Sequence, residues 1–244
     1  MSHLFFAGAR LVGAAHAAEP TMEELLLATD DAGRGDQSVA VIAMQVKTDR
    51  YERTMKMQAW AKGTEKTLVR ILEPEKDAGV TTLKVDDNLW NYLPKVDRTM
   101  KVPAGMMSGS WMGSHFSNDD LVRDSRLSDD FGCEITGRPA DSGGNYVIAC
   151  VPKPDAAVVW GKVAATVTPD KIPVKVEFWD EAGVLVRTMS YGNVKDIGGR
   201  KMPLEMTLTP HDKPGEFTKM TFESLDLSVQ LDDGMFSLQA LQQR

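Results

Sequence analysis

A chain of 244 residues with 42% hydrophobic and 26% charged residues has a globular composition and is long enough to bury a substantial core, which excludes a disordered protein. Its net charge of −7 excludes a nucleic-acid surface, because phosphate binding needs a basic face. No apolar run approaches the roughly 18 residues of a spanning helix, so no membrane span is expected.

The chain begins with LFFAGARLVGAAHA, a short apolar run, interrupted by Arg10, that ends in Ala15-His16-Ala17. An A-x-A pattern after such a run reads as a secretory signal. Residues 1–17 are therefore expected to be cut away, leaving residues 18–244 as one domain in the periplasm. No cysteine lies near the cut to accept a lipid anchor.

Behind Pro20, Thr21 and Glu24 have the spacing of a capping box, and MEELLLATDD reads as a short helix with Met22, Leu25 and Leu26 inward. Gly33-Arg34-Gly35-Asp36 ends it, and its Arg-Gly-Asp triplet is read as a turn rather than an adhesion motif. From Val39 the apolar period is two, as in half-buried strands. In YERTMKMQAWAKG, Met55, Met57 and Ala59 share one face while Glu52, Lys56 and Gln58 share the other. TLVRIL, VTTLKVDD, NLWNYLP and TMKVP continue a meander of antiparallel strands, with Trp90 and Tyr92 on one face.

Residues 102–118 break this style. They carry no charge at neutral pH, and hold Met106, Met107, Trp111, Met112 and Phe116 among Gly105, Gly109 and Gly113. The stretch from Ser117 to Leu127 reads as helical, with Asn118-Asp119-Asp120 as its N-cap and first turn, where acidic residues are favourable. FGCEITG and NYVIAC then read as two strands joined by RPADSGG, which sets Cys133 opposite Cys150. A disulfide is expected there in an oxidising compartment, with two buried free thiols as the alternative. KVAATVTP, IPVKVEFWD, GVLVRTMSYGNV, MPLEMTLTP and EFTKMTFESLDL are further strands, and FSLQALQQR a closing helix. Asp180-Glu181-Ala182-Gly183 reads as a hairpin turn.

Catalytic motifs are missing. Gly113-Ser114-His115 is not a nucleophile elbow, and no phosphate-binding loop or dinucleotide fingerprint follows a strand. Asp119, Asp120, Asp124, Asp129 and Asp130 lack the spacing of a calcium loop. No enzyme activity, cofactor or metal is expected. Met106, Met107 and Met112 leave a copper(I) carrier as a rival, since thioethers bind that ion.

LWNYLPKVDRTMKVP, MMSGSWMGSHFSNDDLVRD and VEFWDEAGVLVRTMSYGNVKDIGGRKMP resemble the outer-membrane lipoprotein-sorting family of LolA/LolB-like carriers. The resemblance implies a mainly β fold: a strongly curved antiparallel sheet forming an unclosed half-barrel, with a few short helices over its open side. It also implies acyl chains of lipid or lipoprotein held between sheet and helices and ferried across the periplasm. An inner-membrane exporter to load it and an outer-membrane acceptor to empty it are the expected partners, and the chain is expected to be a monomer. Methionine suits such a cavity because it repacks around varied shapes. Residues 103–116 are expected to form a movable lid, with Met55, Met57, Trp90, Tyr92 and Met100 on one wall and Val176 and Phe178 opposite. On that view an acidic residue at Met106 or Trp111 leaves folding intact. An envelope sensor or scaffold of the same fold is the remaining alternative.

Overall fold

The computed structural model describes residues 19–32, 35–122, 127–156 and 158–242. The expected signal segment and Arg34 of the Arg-Gly-Asp triplet lie outside them. Helix α1 (Met22–Asp30) starts as its sequence requires: Thr21 Oγ1 accepts the Glu24 N–H, and the Glu24 carboxylate accepts the Thr21 N–H. Leu25 and Leu26 are buried, whereas Met22 is only partly so.

Thirteen strands form one curved, unclosed antiparallel sheet. The first six are β1 (Gln37–Lys47), β2 (Glu52–Lys62), β3 (Lys66–Glu73), β4 (Thr81–Val85), β5 (Asn88–Leu93) and β6 (Arg98–Lys101). The second seven are β7 (Phe131–Gly137), β8 (Tyr146–Pro152), β9 (Lys162–Val167), β10 (Pro173–Trp179), β11 (Leu185–Ile197), β12 (Arg200–Pro210) and β13 (Phe217–Asp226). Each set is a meander, and β1 pairs with β13 to join them. The pairing β1–β13 puts β6 at one outer edge and β7 at the other. The described parts of the chain between those two edges, residues 102–122 and 127–130, cross the open side of the sheet. They carry the short helices α2 (Asn118–Val122) and α3 (Leu127–Asp130).

Alternation sets the inner face. Along β1 every second residue is buried, and Ile42 and Met44 face Met57 and Met55 of β2. Asp180–Gly183 makes the expected tight turn, with Gly183 at φ +79° and the Val184 N–H donated to the Asp180 carboxylate at 2.8 Å. Cys133 and Cys150 are register partners on β7 and β8 and form a disulfide. At the β3–β5 end both faces of the sheet are covered. There the closing segment, with Phe236 and the helix α4 (Leu238–Leu241), packs on the outer face against Leu68 and Leu83. Among the described residues no helix is long and apolar enough to cross a membrane.

Candidate functional site: a cavity on the inner face

Two structures dock on the inner face, and the space between them is the site. On one side α1 lays Leu25 and Leu26 over Ile148, Val163, Val167 and Val176. On the other, the crossing segment presses Trp111 and Phe116 onto Met44, Met55, Met57 and Ile71. Between them lies a partly open cavity of about 370 Å³, walled by strands β9–β13 and partly roofed by residues of α1, α2 and α3. Its apolar lining includes Phe116, Val176, Phe178, Met206, Met220 and Phe222.

The crossing segment is fastened at several points. Trp111 is 3% exposed and donates its indole N–H to Thr82 Oγ1 at 3.2 Å. Tyr51 donates its hydroxyl to the Gly113 carbonyl, and a Cβ at Gly113 would meet that hydroxyl at 2.9 Å. The His115 N–H donates to Thr218 Oγ1 at 3.0 Å, and the two ring nitrogens lie 2.8 Å from Thr218 Oγ1 and from Glu216 Oε2. A threonine, histidine and glutamate in a row have the order of a nucleophile relay. Here, however, Thr218 is fully buried, so no substrate reaches its hydroxyl and the row acts as a clamp.

A bidentate ion pair lies in the cavity wall. Arg187 on β11 holds Asp120 on α2 with both arms of its fork, Nη1 to Oδ2 at 2.9 Å and Nη2 to Oδ1 at 2.6 Å. The guanidinium carbon lies 4.6 Å from the ring centroids of both Trp160 and Phe178. Asp120 also accepts the backbone N–H and the hydroxyl of Ser117, which in turn caps α2 by accepting the Asp120 N–H. Burial works to raise the Asp120 carboxyl. The Arg187 fork and charge, together with the Ser117 donors, outweigh it and hold the pKa below the ordinary aspartate value of 3.8. A carboxyl with a lowered folded pKa stabilises the fold above its unfolded pKa, and that contribution disappears as the pH falls through the folded value. Asp120→Asn is therefore expected to lower the urea midpoint at neutral pH, with the gap to the parent protein shrinking below about pH 3.8. A gap that stays constant into acid would contradict this.

The sequence-predicted residues do not form one wall. Phe116, Val176 and Phe178 line the cavity. Met55 and Met57 are buried in the floor beneath the crossing segment, with Met112 packed against the same cluster. Trp90 and Tyr92 are on the outer face with Phe236 and Leu241, because the closing segment gives that side of β5 a core of its own. Met100 pairs with Asn91, so it has the opposite parity to Trp90 and Tyr92, and it is about one-third exposed at the sheet edge. Met106 is 61% exposed and Met107 half-buried. The expectation that Trp111 sits in a mobile flap is corrected by its burial against Met57 and its neighbours. Pattern reading missed Arg187, Asp120, Trp160, Met206 and Met220. One signal for Arg187 is present in the sequence: it shares strand parity with Met189 and Tyr191, which makes it a lone cation on an apolar face.

Three solved structures have this architecture. A putative outer membrane lipoprotein-sorting protein domain from Vibrio parahaemolyticus superposes with a TM-score of 0.76 at 22% identity, over 91% of this chain and 97% of its own. A DUF1329 family protein from Desulfovibrio piger gives 0.78 at 21%, over 92% of this chain and all of its own. A LolA superfamily protein from Nitrosomonas europaea gives 0.73 at 23%, also over 92% of this chain and all of its own. Among curated proteins none matches the sequence. The family model that matches residues 63–243 bears the description "Uncharacterized protein". On that match, which spans most of the chain, the protein belongs to this family of uncharacterized proteins, and it shares its fold with the three solved structures.

Proposed function

We propose that the protein is a non-enzymatic carrier that holds an acyl chain of a lipid or lipoprotein in the inner-face cavity. It would move this cargo through the periplasm from an inner-membrane exporter towards an outer-membrane acceptor. The observation that supports this reading is the cavity itself. At about 370 Å³ it falls within the range of roughly 300–1,000 Å³ typical of small-ligand sites, and its walls are mostly apolar. Each buried methylene contributes roughly 0.8 kcal/mol, so a partly enclosed alkyl chain gains affinity without any specific polar contact. The fold shared with a lipoprotein-sorting domain and a LolA superfamily protein supports the same class of cargo.

The test is native mass spectrometry of protein purified from an envelope fraction, followed by titration of the delipidated protein with a fluorescent fatty acid. Co-purified acyl species and saturable binding are expected. Met206→Trp, which fills the cavity from β12, should displace about three methylenes and weaken binding about fiftyfold. A protein that stays empty with added lipid, or a variant that binds as well as the parent, would overturn the reading.

A further inference from the structure

We infer that the cavity takes an amphiphile with an anionic head group, a carboxylate or a phosphate, and that Arg187 is the residue that recognises it. The inference rests on the carrier reading and narrows it to one ligand class. Alkyl chains alone give no reason for a cation in this wall, and Arg187 is the only Lys or Arg among the described residues lining the cavity. Nor is stability a sufficient reason. A desolvated ion pair in an apolar setting is a weak stabilising device, and an apolar pair of similar size would hold α2 to β11 equally well.

What Arg187 offers is a positioned fork. Its plane is flanked by the rings of Trp160 and Phe178, each 4.6 Å away, so the guanidinium keeps its place if Asp120 leaves. Only two of its five donors serve Asp120, and Nε is buried without a hydrogen-bond partner. The Asp120 carboxylate occupies the position a ligand carboxylate or phosphate would take, with the same bidentate geometry.

The lining also contains Asp30 and Asp119, which by themselves would repel an anion. Exchange answers this objection: a ligand oxygen pair that replaces Asp120 leaves the charge around Arg187 unchanged. Asp30 is meanwhile engaged by the Leu127 N–H at the start of α3. Asp120 also has two donors on Ser117, partners that do not depend on Arg187.

The experiment compares palmitate, hexadecyl phosphate and hexadecanol, which share one chain and differ in head group, by isothermal titration of the delipidated protein. Inorganic phosphate and acetate serve as chainless anions. Palmitate and hexadecyl phosphate are expected to bind about tenfold or more tighter than hexadecanol, an energy near that of one charge-assisted hydrogen bond. The chainless anions should not bind measurably. Asp120→Asn removes the competing carboxylate and should raise the palmitate-to-hexadecanol ratio about tenfold, whereas Arg187→Lys, which keeps the charge but loses the fork, should lower it. Equal binding of all three amphiphiles would overturn the inference and leave the carrier reading standing. A ratio indifferent to Asp120→Asn and Arg187→Lys would overturn it too, and no binding of any amphiphile would overturn both.

Discussion

Trp111→Ala is expected to destabilise the protein by about 3–5 kcal/mol and to lower Tm by about 10 °C. The indole is 3% exposed and sits in the floor cluster with Met44, Met55, Met57 and Ile71. Its removal opens a void between the crossing segment and the sheet. It also takes a donor from Thr82, which is 4% exposed and whose hydroxyl donates to Asn91 Oδ1 at 2.7 Å. Trp111→Asp adds the cost of a buried, unpaired carboxylate and should prevent folding at ordinary temperatures. Met106→Asp is the internal control. Five residues away in the same glycine-rich stretch but 61% exposed, it should change stability by no more than about 0.5 kcal/mol. Urea denaturation of the three variants decides the matter. A Trp111→Ala protein within about 1 kcal/mol of the parent would mean that the crossing segment is not docked on the sheet.

That contrast explains what the sequence could not show. Methionine, tryptophan and phenylalanine between glycines look like a mobile flap, because no strand or helix period holds them. Their location follows from a long-range fact, the pairing of β1 with β13, which sends β6 and β7 to opposite edges. Once the edges are known, the segment after β6 has to pass over the inner face, and Trp111, Met112 and Phe116 become floor anchors while Met106 stays exposed. Local features were readable because their causes are local. The Thr21–Glu24 capping box, the Asp180–Gly183 turn and the alternation that puts Met55, Met57 and Ala59 on one face all formed as expected.

Parity could not say which face of a strand holds which core. Trp90 and Tyr92 share a face, but the residues that cover it lie more than a hundred positions later, in the segment around Phe236 and Leu241. Phe178 and Val176 reached the cavity because β10 has only one covered face, under α1 and the crossing segment. Arg187 is hidden in the sequence for another reason. A single arginine in GVLVRTMSYG reads as part of the wet face until its parity is compared with that of Met189 and Tyr191. Its Asp120 partner lies 67 residues away. By local pattern that aspartate belongs to the first turn of a helix, and it has this role as well.

Reduction of the Cys133–Cys150 bond is expected to cost about 3 kcal/mol, the chain-entropy value for a closed loop of about this length; the two cysteines are 17 residues apart. The effect should be larger than strand pairing alone would suggest, because β7 is an outer strand that pairs only with β8. With the bond intact, opening β7 cannot separate it from the sheet at Cys133. Without it, the strand can peel away from its free edge, taking Phe131 out of the cavity lining. Denaturation in the presence and absence of a reductant should therefore show a lower midpoint on reduction, together with weaker binding of a fluorescent fatty acid. A Cys133→Ala/Cys150→Ala double variant should match the reduced protein and be indifferent to the reductant. Because Cys150 is fully buried, alanine leaves a small void, whereas serine would also bury a hydroxyl, so alanine gives the cleaner comparison. An identical midpoint with and without reductant would show that β7 is held by its pairing and packing alone, and that the cross-link has no share in keeping the cavity intact.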